Sequence, residues 1–201
     1  MQSHFVVNGY FEEKCRNFAV RSAESQRENR SGGSYQRNLE QIAEDTYRGK
    51  VGEMVVELFF ANDPFNYSLN LDFNIYERGK WDESDFIIGG KKFSIKASKH
   101  FAKWLLLEKK DIERGDIYDY YIFVTIDPPN TDGRLMGGTI WGYASLNDIL
   151  YDEHTLKLPR GEKIPGTSTT LDASNFARHK SFLKNSLADW SEIIRLCEKE
   201  V

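Results

Sequence analysis

One stretch holds the residue types best suited to chemistry: W-D-E-S-D-F-I-I-G-G-K-K-F-S-I-K-A-S, from Trp81 to Ser98. Phe86-Ile87-Ile88 is one short apolar run and Phe93 to Ala97 is another, with Gly89-Gly90 between them. The pattern predicts a β-hairpin, because two glycines take the positive φ angles of a two-residue turn without steric cost. That turn dictates a register: Ile88 opposite Lys91, Ile87 opposite Lys92, Phe86 opposite Phe93 and Asp85 opposite Ser94. Side chains alternate along a strand, and opposed residues share a face. Asp85, Ser94 and Lys96 are therefore expected on one face, with Phe86, Phe93, Ile95 and Ala97 on the other. A carboxylate, a hydroxyl and an ammonium would then meet at one place on a sheet. The plain alternative is a surface cross-strand ion pair, which contributes little.

An Asp, eight residues, then Ser-Ile-Lys resembles the active-site core of the PD-(D/E)XK, or restriction endonuclease-like, nucleases. In that superfamily an Asp on one strand and an acid-x-Lys on the next bind Mg²⁺ and activate water. The first residue of the triplet here is Ser94 rather than Asp or Glu. Some type II restriction endonucleases share this Ser-x-Lys form and draw the missing carboxylate from a following helix. The matching residue is Glu108, twelve positions after Lys96. The first core helix of the superfamily often carries a G-x-x-G-E-like turn whose Glu faces the metal. Glu53, closing Gly49-Lys50-Val51-Gly52-Glu53, matches it. The resemblance covers residues 40 to 145.

What the resemblance implies is specific. Asp85, Glu108 and Glu53 would be metal ligands. Lys96 would donate to the scissile phosphate or steady the attacking hydroxide, and Ser94 would hydrogen-bond within the site. Mg²⁺ is a hard ion that takes oxygen ligands, keeps several waters and uses one or two protein carboxylates. It neutralises charge developing on a phosphodiester and lowers the pKa of bound water. The implied activity is Mg²⁺-dependent endonucleolytic cleavage of double-stranded DNA, most like that of a type II restriction endonuclease. Such enzymes usually act as homodimers, since a two-fold protein matches a two-fold site. The implied setting is the cytoplasm of a prokaryotic cell or a phage-infected host. Three alternatives stand beside this: a repair, junction or phage nuclease of the same fold; a non-catalytic DNA-binding module whose Ser94 marks a decayed site; and an unrelated α/β protein with a surface Asp–Lys pair.

Several elements must position these residues. A helix is expected over 36–61, with Leu39, Ile42, Tyr47, Val51, Met54, Val55, Leu58 and Phe59 at three- and four-residue spacings. Two glycines inside it cost about 1 kcal/mol each against Ala, a cost usually tolerated where another backbone approaches closely. Glu53 and Glu57 share a face of this helix. Residues 9–29 read as a polar helix, and Tyr67 to Phe73 as a loose strand. Phe101, Trp104, Leu105 and Leu107 form one face of a helix with Glu108 near its end; a short strand through Trp104 to Leu107 is the other reading. Tyr121 to Ile126 is a buried central strand. Thr139 to Ala144 is another strand, followed by a short helix from Ser145. Residues 152–170 read as a long loop, and a final helix starts at Asp172 to Asn175, its buried stripe running from Phe182 to Cys197. The fold expected is a single α/β domain with a restriction endonuclease-like core and a mixed central sheet flanked by helices. It divides into a helical N-terminal extension (1–35), a catalytic core (36–145) and a loop with a C-terminal helix (146–201).

Composition narrows the possibilities. At 40% hydrophobic and 29% charged, with thirteen Phe and ten Tyr, the chain can bury a core. No run approaches the length of a membrane span, and no signal peptide is visible at the start. Cys15 and Cys197 suit two buried thiols better than a metal set or a disulfide. The net charge of −4 neither favours nor excludes nucleic acid, since a basic groove can sit on an acidic body. Between Lys14 and Lys50, eight Lys/Arg face five Asp/Glu, either a solvated helix face or a phosphate-contacting one. His4, His100, His154 and His179 are dispersed, and nucleotide-binding and serine-hydrolase motifs are missing.

Overall fold

The structure is a computed structural model that describes residues 3–26, 38–75, 85–115 and 117–200. Its centre is a five-stranded mixed sheet. Strands β1 (Ser3–Val6), β2 (Phe86–Ile88), β3 (Lys91–Lys99), β5 (Tyr120–Ile126) and β6 (Gly137–Ser145) lie in the order β1-β6-β5-β3-β2. β3 and β5 run parallel, and every other neighbouring pair is antiparallel. All seven residues of β5 are buried, as the apolar run Tyr121 to Ile126 predicts for a central strand. The hairpin forms with the expected register, Phe86 opposite Phe93 and Ile88 opposite Lys91. Gly89 (φ 57°) and Gly90 (φ 74°) both occupy the left-handed region that the two-residue turn demands.

Helices α1 (Gly9–Gln26), α2 (Leu39–Phe60) and α5 (Leu187–Glu200) accompany this sheet. α2 starts three residues later than the periodicity suggests. Asn38 caps it: its side chain accepts from the Gln41 N–H at 2.8 Å, and the Gln41 side chain accepts from the Asn38 N–H at 3.2 Å. The main core joins α2 and α5 to one sheet face. Phe59, Phe60 and Phe65 surround Trp190, and Phe86, Phe93, Ile122 and Val124 complete the cluster. Cys15 and Cys197 are both free and buried, in line with the composition reading.

The other face is covered by a second sheet that the sequence reading lacks. β4 (Trp104–Glu108), β7 (Thr155–Leu158) and β8 (Asn175–His179) pair antiparallel in the order β4-β8-β7. Leu105, Leu107 and Phe176 pack here against Tyr121, Phe123 and Ala144 of the central sheet. The short helices α3 (Lys109–Glu113) and α4 (Leu146–Tyr151) sit beside it, α4 capped by Ser145 as expected.

Several expectations are therefore corrected. The stretch from Phe101 to Glu108 is mostly strand, and its alternation of half-buried and buried residues shows why. Residues 152–170 contain β7 rather than a bare loop. The segment expected to begin the last helix is β8, and that helix starts only at Leu187. Within 146–201 the loop-and-helix expectation thus misses two strands, and within 1–35 the helical extension also contributes edge strand β1. Tyr67 to Phe73 forms no strand, while its Tyr67, Leu71 and Phe73 pack against the main core. Arg27, Arg30 and Arg37 of the basic stretch lie outside the described residues.

The two α2 glycines differ in kind. A Cβ at Gly52 would stand 2.6 Å from the Ala97 Cβ, so only glycine lets α2 sit this close to β3. A Cβ at Gly49 would meet nothing within 4 Å. Gly52→Ala should lower the unfolding free energy by about 1–3 kcal/mol, as overpacking does. Gly49→Ala should raise it by about 1 kcal/mol. Urea titrations of the two variants check the contrast, and a similar loss in both would refute it.

Candidate active site

Strand β2 begins at Phe86, while its partner β3 runs on past Phe93 to Lys99. Asp85 stands where the pairing stops. Its own N–H donates to the Phe93 carbonyl at 3.2 Å. Its carboxylate then reaches along β3 and accepts hydrogen bonds from the Ile95 N–H and the Ser94 hydroxyl. A strand residue points its N–H and C=O toward the same edge, so the Ile95 carbonyl faces this side too. Lys96 lies two residues along from Ser94, with its ammonium 6.0 Å from the centre of the Tyr118 ring.

A further ammonium comes from α2. Lys50 is buried, and its Nζ donates to Glu53 Oε2 at 2.5 Å and to the Asp72 carbonyl at 2.8 Å. Lys50 and Lys96 both act on Asp85. The cluster is thus Asp85, Ser94 and Lys96 from the hairpin, joined at the edge of β3 by Lys50 and its partner Glu53 from α2. The apolar residues behave as expected, with Phe93 buried and Ile95 and Ala97 packed on the main core. Asp85 turns to the strand edge, where its carboxylate meets the Ile95 N–H, while Lys96 reaches toward Tyr118 on the face opposite the main core.

The electrostatics are opposed rather than balanced. Burial of the Asp85 carboxylate pushes its pKa above the ordinary value, while the Ile95 N–H, Lys96, the Ser94 hydroxyl and Lys50 all pull it down. Asp85 as a whole residue is exposed, yet protein atoms crowd its carboxylate; the carboxylate's own surroundings govern its titration. Nearby, burial pushes the Cys15 thiol up to about 12, with Glu53 adding to the effect and Lys50 opposing it, so this cysteine is no nucleophile.

Glu108 does not join the group as the sequence reading expects. It ends β4 in the second sheet, opposite Asn175, instead of sitting late in a helix. Leu105 and Leu107 face the central sheet, while Trp104 and Leu106 pack on the far side. Strand alternation places Glu108 with that outward pair. Its Oε2 lies 2.6 Å from the Lys110 ammonium, although off the direction of a good hydrogen bond, and finds no other partner. Glu57 is engaged elsewhere, accepting from the Ser68 hydroxyl at 3.0 Å and the Leu69 N–H at 2.7 Å. Among the described residues, no three His, Cys, Asp or Glu side chains are grouped so as to hold a metal ion. Of the three expected ligands, Asp85 and Glu53 remain on the side of Lys50, and Mg²⁺ uses one or two carboxylates.

Two further cations stand out in the structure, Lys50 within the group and Lys180 beside Lys103. Lys50 lies inside the G-K-V-G-E string, three residues before Glu53, and helical periodicity alone could have flagged it. Lys180 stacks its ammonium 3.2 Å from the centre of the Trp141 ring, and its backbone N–H donates to the Lys103 carbonyl at 2.9 Å. Burial and the neighbouring Lys103 hold the Lys180 pKa down. Lys103 was visible beside Lys96 and Lys99, but its partner lies in β8's continuation, which no short-range pattern links to it.

Compared with protein-family models, with curated proteins and with solved structures, the chain matches none. Among the described residues, no helix is long and apolar enough to cross a membrane.

A stability test follows from the raised Asp85 pKa. A carboxyl whose folded pKa exceeds its unfolded one costs stability as pH rises through that window, and the cost persists above it. Asp85→Asn should therefore melt at the wild-type temperature or higher near neutral pH. The advantage should vanish below the ordinary aspartate range, about pH 4. Thermal melts across pH check this; a variant less stable at neutral than at acid pH, relative to wild type, would refute it.

Proposed function

We propose that this protein is a Mg²⁺-dependent endonuclease that hydrolyses phosphodiester bonds in double-stranded DNA, most like a type II restriction endonuclease. The observation that carries the reading is the Asp85 carboxylate. It is held against its own burial by the Ile95 N–H and Ser94, with two lysines drawing on it. Charged groups gathered at such a cost mark functional sites more often than structural ones. The order of elements supports a restriction endonuclease-like core: helix α2, hairpin β2–β3, then a crossover to the parallel strand β5. The crossover is made by β4 and α3.

In this reading Asp85 and Glu53 would hold Mg²⁺, which would supply charge neutralisation and an acidified water. Lys96 donates to the non-bridging phosphate oxygen and stabilises the charge that grows there. Ser94 orients the Asp85 carboxylate rather than binding the cation. Lys50 pairs with Glu53 and positions it. Lys103 and Lys180 are suited to the backbone phosphates flanking the cut. Two copies, each cutting one strand, would act together as a homodimer in the cytoplasm of a prokaryotic cell or phage-infected host. One observation favours a second reading. Ser94 supplies no charge and Lys50 already neutralises Glu53, which suits a DNA-binding module without cleavage.

Incubation with long duplex DNA distinguishes these. Cleavage should require Mg²⁺, stop with chelator and fall by about 10²–10³-fold in Lys96→Ala, as for loss of one transition-state donor. Glu53→Gln should lose cleavage, while Glu108→Gln should cut at the wild-type rate. Salt-sensitive duplex binding with no cutting under any divalent ion would leave the binding module instead.

A further inference from the structure

A cavity of about 380 Å³ opens on the outer side of α1, between that helix and Phe73. Its walls combine the rings of Tyr10, Phe18 and Phe73 with the cations Lys14 and Arg21, and Glu13 and Asn17 complete the lining, two cations against one acid. Tyr10 is 73% exposed and stands edge-on to Phe11. Phe18 and Phe73 meet edge to face at 5.9 Å. The Lys14 ammonium rests 4.0 Å from the centre of the Phe73 ring. The inner wall touches the candidate active site directly. Lys50, which binds Glu53 and acts on Asp85, lies 4.5 Å from the Phe18 ring centre and 5.2 Å from that of Phe73.

We propose that this cavity binds one unstacked nucleotide of the DNA strand being cut, its base against Phe18, Phe73 and Tyr10 and its phosphate on Lys14 and Arg21. The inference rests on the nuclease reading for the identity of the strand. Its chemistry is independent of catalysis. Every base has a π-face that stacks on aromatic rings, and cations beside those rings take the phosphate. A site for a purely apolar ligand would not set two long cations at its rim. A site for an anion alone would not spend three rings on it. Because Lys50 lies against the Phe18 and Phe73 rings and acts electrostatically on Asp85, a nucleotide seated there would lie on the side of the phosphodiester presented to Lys96. The substrate is then a strand with at least one base out of the duplex stack at the cut: an extruded base, a single-stranded end or a mismatch.

The test uses the full-length protein with Ca²⁺ in place of Mg²⁺, so that binding is read without turnover. Three fluorescent DNAs are compared: a fully paired duplex, the same duplex with one unpaired 2-aminopurine, and a single strand carrying it. The expected result is tighter binding of the second and third, with a change in 2-aminopurine emission as the base stacks. Tyr10→Ala and Lys14→Gln, both at exposed positions, should each remove the emission change. Phe73→Leu should weaken binding of the unpaired substrates by about tenfold, the scale of one lost base–aromatic stack. Thermal melting confirms that Phe73→Leu is folded; if it is not, the two exposed variants decide. Equal binding of all three DNAs, or an emission change that survives both exposed variants, overturns the proposal. Displacement by a free deoxynucleoside monophosphate at similar concentration also overturns it, by assigning the cavity to a free nucleotide. If no variant cuts DNA yet the emission change appears and is lost in Tyr10→Ala, the nuclease reading fails and the cavity assignment stands.

Discussion

The close approach of α2 to β3 is the constraint from which the candidate site follows. At Gly52 the helix backbone comes so near Ala97 that a methyl group would collide with it. Helices usually pack on a sheet through a layer of side chains. Removing that layer at one point drops α2 toward the strand. Lys50 and Glu53, two positions before Gly52 and one after it, come down with the helix, and the hairpin carries Asp85, Ser94 and Lys96. The hairpin brings its own three residues together, while Lys50 and Glu53 reach them only through where the helix lands.

Electrostatics explain why the group stays together without collapsing into simple ion pairs. Desolvating a charge costs several kcal/mol unless partners replace water. Glu53 is partnered by Lys50, and Lys50 is also held by the Asp72 carbonyl. Asp85 is satisfied by a backbone N–H and a hydroxyl, neither of which carries a charge. Burial raises its pKa above the ordinary value, while those two donors and two ammonium groups within electrostatic reach pull it back. A bound cation would relieve that state, and so would a proton.

Two buried charges elsewhere meet an opposite charge at contact distance. Glu12 is completely buried, yet Arg134 approaches it at 3.0 Å and the Tyr47 hydroxyl donates to it, while the Leu135 N–H donates to that hydroxyl at 2.9 Å. This network ties α1 and α2 to the turn between β5 and β6. Arg178, also buried, bonds to Asp152 at 3.1 Å, Thr155 at 3.0 Å and the Phe182 carbonyl at 2.9 Å, locking β7 to β8. The contrast with Asp85 lies in the kind of partner. Structural charges here meet an opposite charge at contact distance, whereas Asp85 meets neutral donors and more distant cations.

By itself the sequence determined those features whose physical cause is local. Gly89-Gly90 can make only a tight turn between two apolar runs, so the hairpin and its register were legible residue by residue. The same holds for the length of α2, the burial of β5 and the cap at Ser145, each set by periodicity or by one side chain's bond to nearby backbone. The second sheet was not legible. Trp104 to Glu108 and Asn175 to His179 are five-residue runs too short to separate strand from helix, and each becomes a strand only because the other pairs with it across seventy residues. The site divides along the same line. Asp85, Ser94 and Lys96 could be placed together from the turn, while Glu108 was misplaced and Lys50 overlooked. Their positions depend on how β4 turns away and how closely α2 docks, and both are decided by packing between distant segments.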